Sequence, residues 1–331
     1  MLQANHILVV DSDAASQAAL EQATRLAIAC GASLSVVTVA SETVSTTGPS
    51  ASVGSAQPAS SSEAGSAALE DWRNAVIRAV QKVAQDCEAV PPPLVTVAPV
   101  SSADAALRHI ADANVDLIVA DTPADRGAIP VLASDPIATI TRRADVPLFV
   151  VEHRPIQTPV RRILVPTDFS EHARDAFAHA KALARLYNAS LDVLHVLERP
   201  QYVALNTTDM LAMSDATLTE RKARRRTETF AASLDGEAVP TRVHVRHGDA
   251  ADCIGHFVDE TPIDLVVLST HGVIGRPTHP LGSVVEKVLR RMAHPVFLTR
   301  AFGASVVGTL PSASGSDGAV GGTPRINPQL P

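Results

Sequence analysis

Three glycines and a serine follow a short aliphatic run in residues 264–285, which read DLVVLSTHGVIGRPTHPLGSVV. Residues 265–268 have the all-aliphatic pattern of a parallel strand buried on both faces. A loop carrying Gly272, Gly275 and Gly282 comes next. Ser283 then opens a segment in which Val284, Val285, Val288 and Leu289 recur at helical spacing. A strand, a glycine-bearing loop and a helix start can cradle an anion. Glycine lets the backbone approach closely, and the N–H groups of a first helical turn point at the ligand. Ser283 adds a hydroxyl at the N-cap or in the first turn. The chemistry on offer is phosphate binding, as for a nucleotide. An ordinary loop before a capped helix fits the same letters, because glycine spacing alone discriminates poorly.

A second candidate is Asp168, which ends a strand in PTDFS. Its carboxylate either accepts hydrogen bonds from a base or a ribose, or caps the helix that follows. Ser269, Thr270 and Ser283 supply hydroxyls, but no GxSxG elbow or ordered Asp/His set accompanies them, which argues against acyl transfer. The loop also lacks GxxxxGK[ST] and its lysine, which excludes a P-loop. His271 and His279 flank the loop, whereas His244 and His247, three apart on a strand, point to opposite faces. No ligand set for a metal is present. The run 221–226, RKARRR, lies in a helical segment whose apolar side is Leu218, Ala223, Phe230 and Leu234, so it reads as a solvated basic face.

Those residues need a frame, and the chain supplies one twice. Its 331 residues suit about two domains. HILVV at His6 and RILVP at Arg162 are each followed by an aspartate, Asp11 or Asp168, and then by a helix in matching register. Residues 95–151 lie against 243–299 at a constant offset of 148, so DLIVAD at Asp116 overlays DLVVLS at Asp264. That is a duplicated domain rather than a short-period solenoid. In the second half, strands are expected at 163–167, 191–197, 242–247, 265–268 and 296–299. Helices are expected over 171–187, ended by Asn188, and from about 214 to 234. Strands alternating with helices imply a parallel five-stranded sheet covered on both faces, an α/β, Rossmann-like domain. Asp168 and the Gly272 loop both fall at strand carboxyl ends, where such sheets bind ligands.

Composition sets limits. With 46% hydrophobic residues and a formal charge of −7, the chain reads as a globular protein without the net basic character of a nucleic-acid binder. Cys30, Cys87 and Cys253 are isolated, which points to a reducing cytosol. No signal peptide is evident, and no run approaches the roughly 20 apolar residues of a membrane span. The expectation is a cytoplasmic protein with no membrane or nucleic-acid partner. Residues 41–66 read as a mobile insertion and 302–331 as a disordered tail.

PTDFSEHARDAFAHAKALARLYNASLDVLHVLE, followed by LSTHGVIG…LGSVVEKVLRRMAHPVFLT, resembles the universal stress protein family. The likeness covers 160–300 and, more weakly, 5–152. It implies a tandem, UspA-like pair of domains: a degenerate one over 1–152, a linker over 153–159, and a nucleotide-binding one over 160–301. The family resemblance further implies an adenine-nucleotide-binding fold that dimerises through its fifth strands. In this chain the pair can form internally through residues 147–151 and 295–299, with a further homodimer left open. The ligand implied is ATP, with or without Mg2+. Pro166, Thr167 and Asp168 would line the adenosine pocket, with Val196 against the base. Gly272 and Gly275 would lie along the ribose and phosphates. Gly282, Ser283, Val284 and Val285 would offer backbone N–H groups to the phosphates.

Pro277 and Pro280 depart from the helix-compatible run usual in the family. In the first half Gly272 becomes Ala124, Gly282-Ser283 becomes Ser134-Asp135, and Val284 becomes Pro136, while Gly275 stays glycine as Gly127. A carboxylate repels phosphate and proline deletes a donor. One nucleotide site per chain is expected, in the second half. No residue stands out as a base for the attacking water, so at most slow hydrolysis is expected. The competing expectation is a nucleotide-independent stress-response scaffold with a protein partner still to be identified.

Overall fold

A computed structural model describes residues 2–11, 17–39, 63–122, 136–152, 160–198, 216–234, 238–272, 281–291, 294–301 and 303–307. The first half of the chain holds β1 (His6–Asp11), α1 (Gln17–Cys30), β2 (Ser33–Val39), α2 (Glu63–Asp86), β3 (Val95–Val100), α3 (Ala103–Asp112), β4 (Leu117–Thr122), α4 (Pro136–Arg143) and β5 (Leu148–Glu152). The second holds β6 (Arg162–Thr167), α5 (Glu171–Tyr187), β7 (Ser190–Leu197), α6 (Ala216–Ala232), β8 (Thr241–His247), α7 (Ala250–Glu260), β9 (Leu265–Ser269), α8 (Ser283–Arg291) and β10 (Val296–Thr299).

The strands form one sheet in the order β3-β2-β1-β4-β5-β10-β9-β6-β7-β8. Each half is five parallel strands, as the alternation of elements required. The halves join edge to edge where β5 and β10 pair antiparallel, with Phe149 opposite Phe297. Their rings meet edge-on, 5.7 Å apart at 69°, and both are fully buried. Truncating either to alanine would cost about 3–5 kcal/mol. The fifth-strand pairing implied by the family resemblance thus exists inside one chain.

Strand side chains alternate between two continuous apolar layers, as a period of two demands. Ile7, Val9, Phe149, Ile163, Val165 and Phe297 pack under α1, α2, α5 and α6. Leu8, Val10, Leu148, Leu164, Val266 and Leu298 pack under α3, α4, α7 and α8. Both layers run unbroken across the seam. Gln22 Nε2 on α1 also donates to the Tyr187 hydroxyl on α5, tying counterpart helices of the two halves.

Counterpart aspartates explain why the halves align so well in sequence. Asp116 Oδ2 accepts the N–H groups of Asn5 and His6, at 2.7 and 3.0 Å. Asp264 Oδ2 does the same for Arg161 and Arg162, at 2.8 and 2.9 Å. Each carboxylate satisfies the entry of its half's first strand.

Three expectations need correction. Residues 63–66 belong to α2 rather than to the insertion: Glu63 and Ala64 favour the helix, and the long helical segment that follows carries Gly65 and Ser66 with it. Residues 303–307 belong to the fold rather than to the tail. Val306 is buried, its C=O accepts the Gln3 N–H at 2.6 Å, and Val307 bridges Leu2. On α6, Ala223, Thr227 and Phe230 are buried while Leu218 is exposed, because the helix turns its Ala223–Phe230 face inward. The basic run is solvated as expected, with Arg221, Lys222, Arg224 and Arg225 exposed. The linker, residues 40–62 and residues 308–331 lie outside the described residues.

Candidate functional site

From β6 the chain proceeds outward to β7 and β8, then returns to β9 on the other flank of β6 before reaching β10. The connections after β6 and β9 therefore leave in opposite directions and open a crevice beyond the strand ends. β6 delivers Pro166, Thr167 and Asp168 to this crevice, and β9 delivers Thr270, His271 and Gly272.

On the β6 side the turn is held by its own side chains. Thr167 Oγ1 accepts the Phe169 N–H, Asp168 Oδ1 accepts the Ser170 N–H, and Ser170 Oγ accepts the Ala173 N–H, each at 3.0 Å. Ser170 has the extended backbone of an N-cap, with φ −67° and ψ 164°. Capping thus belongs to Ser170, and Asp168 stands exposed at the mouth of the crevice. Asn188 closes the helix in the left-handed region, with φ 54°. Phe169 also has a positive φ, 65°, which costs a bulky residue about 1–2 kcal/mol. A Cβ on Gly272 would collide with Asp168 Oδ2, so any larger residue there would displace the exposed carboxylate from its present place. The two strand ends brought together in the sequence reading are in contact.

Behind them sits the start of α8. Gly282 N–H donates to Thr270 C=O at 2.7 Å, and Glu286 N–H donates to Gly282 C=O at 2.9 Å. Gly282 is therefore the cap residue and Ser283 the first helical position. The Gly282 amide is spent on Thr270 and is not a phosphate donor. The amides of Ser283, Val284 and Val285 have no partner within the helix. Ser283 is exposed and Val285 buried, while Val284 and Val196 are half-buried against the same apolar layer. A Cβ on Gly282 would lie 3.2 Å from Thr270 O. Thr270, buried, is the hub that the sequence reading passed over. Its N–H donates to Thr299 O at 2.9 Å, and its Oγ1 accepts the Ala301 N–H at 3.2 Å. Locally the sequence marks Thr270 only as one of two adjacent hydroxyls.

Gly275, His279, Pro277 and Pro280 lie outside the described residues, as do Ala124, Gly127, Ser134 and Asp135 of the first half. α4 begins at Pro136, so the first position of the counterpart helix carries no N–H.

Three histidines of the second half have structural partners. His271 is buried, with Nδ1 3.3 Å from Thr270 Oγ1. His195 Nδ1 donates to Thr167 C=O at 2.9 Å, and His244 Nε2 donates to Asp192 Oδ1 at 2.8 Å. Among the described residues no group of three His, Cys, Asp or Glu side chains could hold a metal. Ser269 Oγ is buried without a hydrogen-bond partner among the described residues. The arrangement can hold a polar group at Asp168 and an anion at the first turn of α8.

The sequence pattern of the universal stress protein family matches residues 4–152 and again residues 159–300. The chain belongs to that family, as a tandem of two of its domains. It is 25% identical over 146 residues to Universal stress protein MJ0531 of Methanocaldococcus jannaschii, a match covering 42% of this chain and 82% of the relative. It is 24% identical over 153 residues to MJ0577 of the same organism, covering 42% and 94%. Among solved structures, a putative universal stress protein from Pseudomonas aeruginosa UCBPP-PA14 superposes with a TM-score of 0.60 at 17% identity, covering 90% of this chain and 93% of that one. A universal stress protein from Archaeoglobus fulgidus gives 0.51 at 17%, covering 89% and 96%. These similarities define the fold across both halves. No helix among the described residues is long and apolar enough to cross a membrane.

Proposed function

We propose that the second domain, residues 160–301, binds an adenine nucleotide, ATP in the first instance, as a ligand or regulatory signal in a stress response. The observation that carries this reading is the contact of Asp168 with Gly272 at the switch point, with the open first turn of α8 packed behind Thr270. Pro166, Thr167 and Val196 supply the remaining walls of an adenosine pocket, and Gly275 belongs to the same loop. Phosphates would take the amides of Ser283, Val284 and Val285 together with the Ser283 hydroxyl. Mg2+, where it accompanies ATP, would be carried by the phosphates. Hydrolysis would be slow at most. The three free cysteines suit a cytoplasmic setting.

The test is mass spectrometry of nucleotide that co-purifies with native protein, followed by calorimetric titration with ATP. Gly272→Ala should remove bound nucleotide by displacing the Asp168 carboxylate from its place at the crevice. Ser283→Asp should do so by placing charge at the helix start while leaving Gly282 and its bond to Thr270 intact. Nucleotide near one per chain, absent from both variants, is the expected result. No bound nucleotide and no heat with wild-type protein would leave the nucleotide-independent scaffold as the reading.

A further inference from the structure

The turn that carries Asp168 also holds a strained aromatic residue, Phe169. Phe169 sits in the left-handed region, where a bulky side chain persists only if its surroundings over-determine it. They do. The Phe169 ring lies 4.3 Å from the His195 ring at 38°, and the Arg226 guanidinium lies 4.3 Å above the Phe169 ring. Phe230 meets it edge-on at 5.8 Å. His195, from β7, donates Nδ1–H to Thr167 C=O at 2.9 Å, which pins the residue preceding Asp168 to the neighbouring strand. Burial lowers the pKa of this imidazole, the bond to Thr167 opposes the shift, and the charge of Arg226 adds to it. Asp168 thus has a fixed residue on either side: Thr167 held by His195, and Phe169 held between His195 and Arg226.

We propose that Phe169, His195 and Arg226 are positioning residues for the Asp168 carboxylate, aiming it at Gly272 and the crevice from the opposite face of the sheet. They would touch no ligand and would act only through the backbone of residues 167–170. This places control of the site on α6, whose Arg226 is otherwise one more exposed cation of a basic run. The proposal deepens the nucleotide reading and rests on it for the binding measurement alone.

Two measurements test it on the full chain. The first needs no nucleotide: amide hydrogen exchange at Ser170, whose N–H is held by Asp168 Oδ1. Phe169→Ala and Arg226→Gln should each raise Ser170 exchange while that of Leu191 and Val193 in β7 is unchanged. Phe169→Tyr, which keeps the ring, should behave as wild type. The second is ATP affinity measured in a cycle with Asp168→Ala. Phe169→Ala should weaken binding about tenfold in wild type, and by no more than the roughly twofold tolerance of additivity once Asp168 is gone. Phe169→Gly removes the ring and relieves the strain, so a loss equal to that of Phe169→Ala assigns the effect to stacking. Arg226→Gln, at an exposed position, serves should Phe169→Ala fail to fold. Unchanged Ser170 exchange in both variants would overturn the proposal, and so would equal losses of affinity with and without Asp168. Failure of wild-type protein to bind ATP would instead defeat the nucleotide reading, with Ser170 exchange still deciding the positioning.

Discussion

Asp192 sits on β7 with its side chain fully buried, and three hydrogen bonds hold it as a carboxylate. Arg162 reaches it with a fork, Nε to Oδ2 at 3.0 Å and Nη2 to Oδ1 at 2.9 Å. His244 Nε2 donates to Oδ1 at 2.8 Å. Burial alone would raise the carboxyl pKa, but the bonds from His244 and Arg162 outweigh it and the net shift is downward. Asp192→Asn keeps the shape and removes the charge, stranding Arg162. Breaking a buried pair costs about 3–5 kcal/mol. The Arg162 side chain is 24% exposed and can recover some water, so about 3 kcal/mol is expected. At about 2–4 °C per kcal/mol for a unit of this size, the melting temperature should fall by about 6–12 °C. The sign with pH follows from the lowered pKa: the stabilisation is full above the unfolded value, near 3.9, and is lost as pH falls through the folded one. Thermal melts at pH 7 and in steps below pH 4 measure both, and the gap between wild type and variant should close in acid. A shift under about 2 °C at pH 7, or a gap constant with pH, would refute the argument.

Two further outcomes follow from the C-terminal segment. His179 Nε2 accepts the Val306 N–H at 3.3 Å while Nδ1 donates to Asp175 C=O at 2.8 Å. Burial lowers its pKa, so docking of residues 303–307 should be complete above about pH 6.5 and weaken as pH falls through the folded value. Exchange at Val306, corrected for intrinsic rate, should show that loss in wild type and no pH dependence in His179→Leu. Arg300, buried with its pKa pushed down to about 10 by desolvation, donates Nε to Val146 C=O at 2.9 Å and Nη1 to Thr141 C=O at 2.7 Å. Lysine cannot make that fork, so Arg300→Lys should cost about 2–3 kcal/mol in urea unfolding, with the slope unchanged.

The strands were legible because aliphatic runs such as 265–268 have few other uses. The duplication was legible because Asp116 and Asp264 perform one task at one spacing. Asn188 announced the end of α5 by its tolerance of positive φ. What escaped the sequence reading depends on contacts between distant segments. Ser170 and Asp168 are both good caps, and only the fold shows which one turns inward. Thr270 is a hub because β10 and α8 happen to converge on it, and nothing in STHG records that. Phe169, His195 and Arg226 come from three separate elements. Residues 303–307 look like tail in composition, yet their backbone finds partners on Gln3, Asp145 and His179.

A two-fold dimer must make every contact across its interface twice, and any change to one subunit appears in both. The continuous sheet through β5 and β10 frees this chain from that constraint. Arg300 crosses from the second half to cap the end of α4 in the first, and the offset of 148 puts glutamate 152, not arginine, at the equivalent place. The same freedom lets a proline stand at the start of α4 while the counterpart helix keeps a full set of amides. Because the partners share one chain, the seam closes at a fixed effective concentration and does not loosen on dilution. Covalent fusion has turned a symmetric pair into two halves that can be altered one at a time.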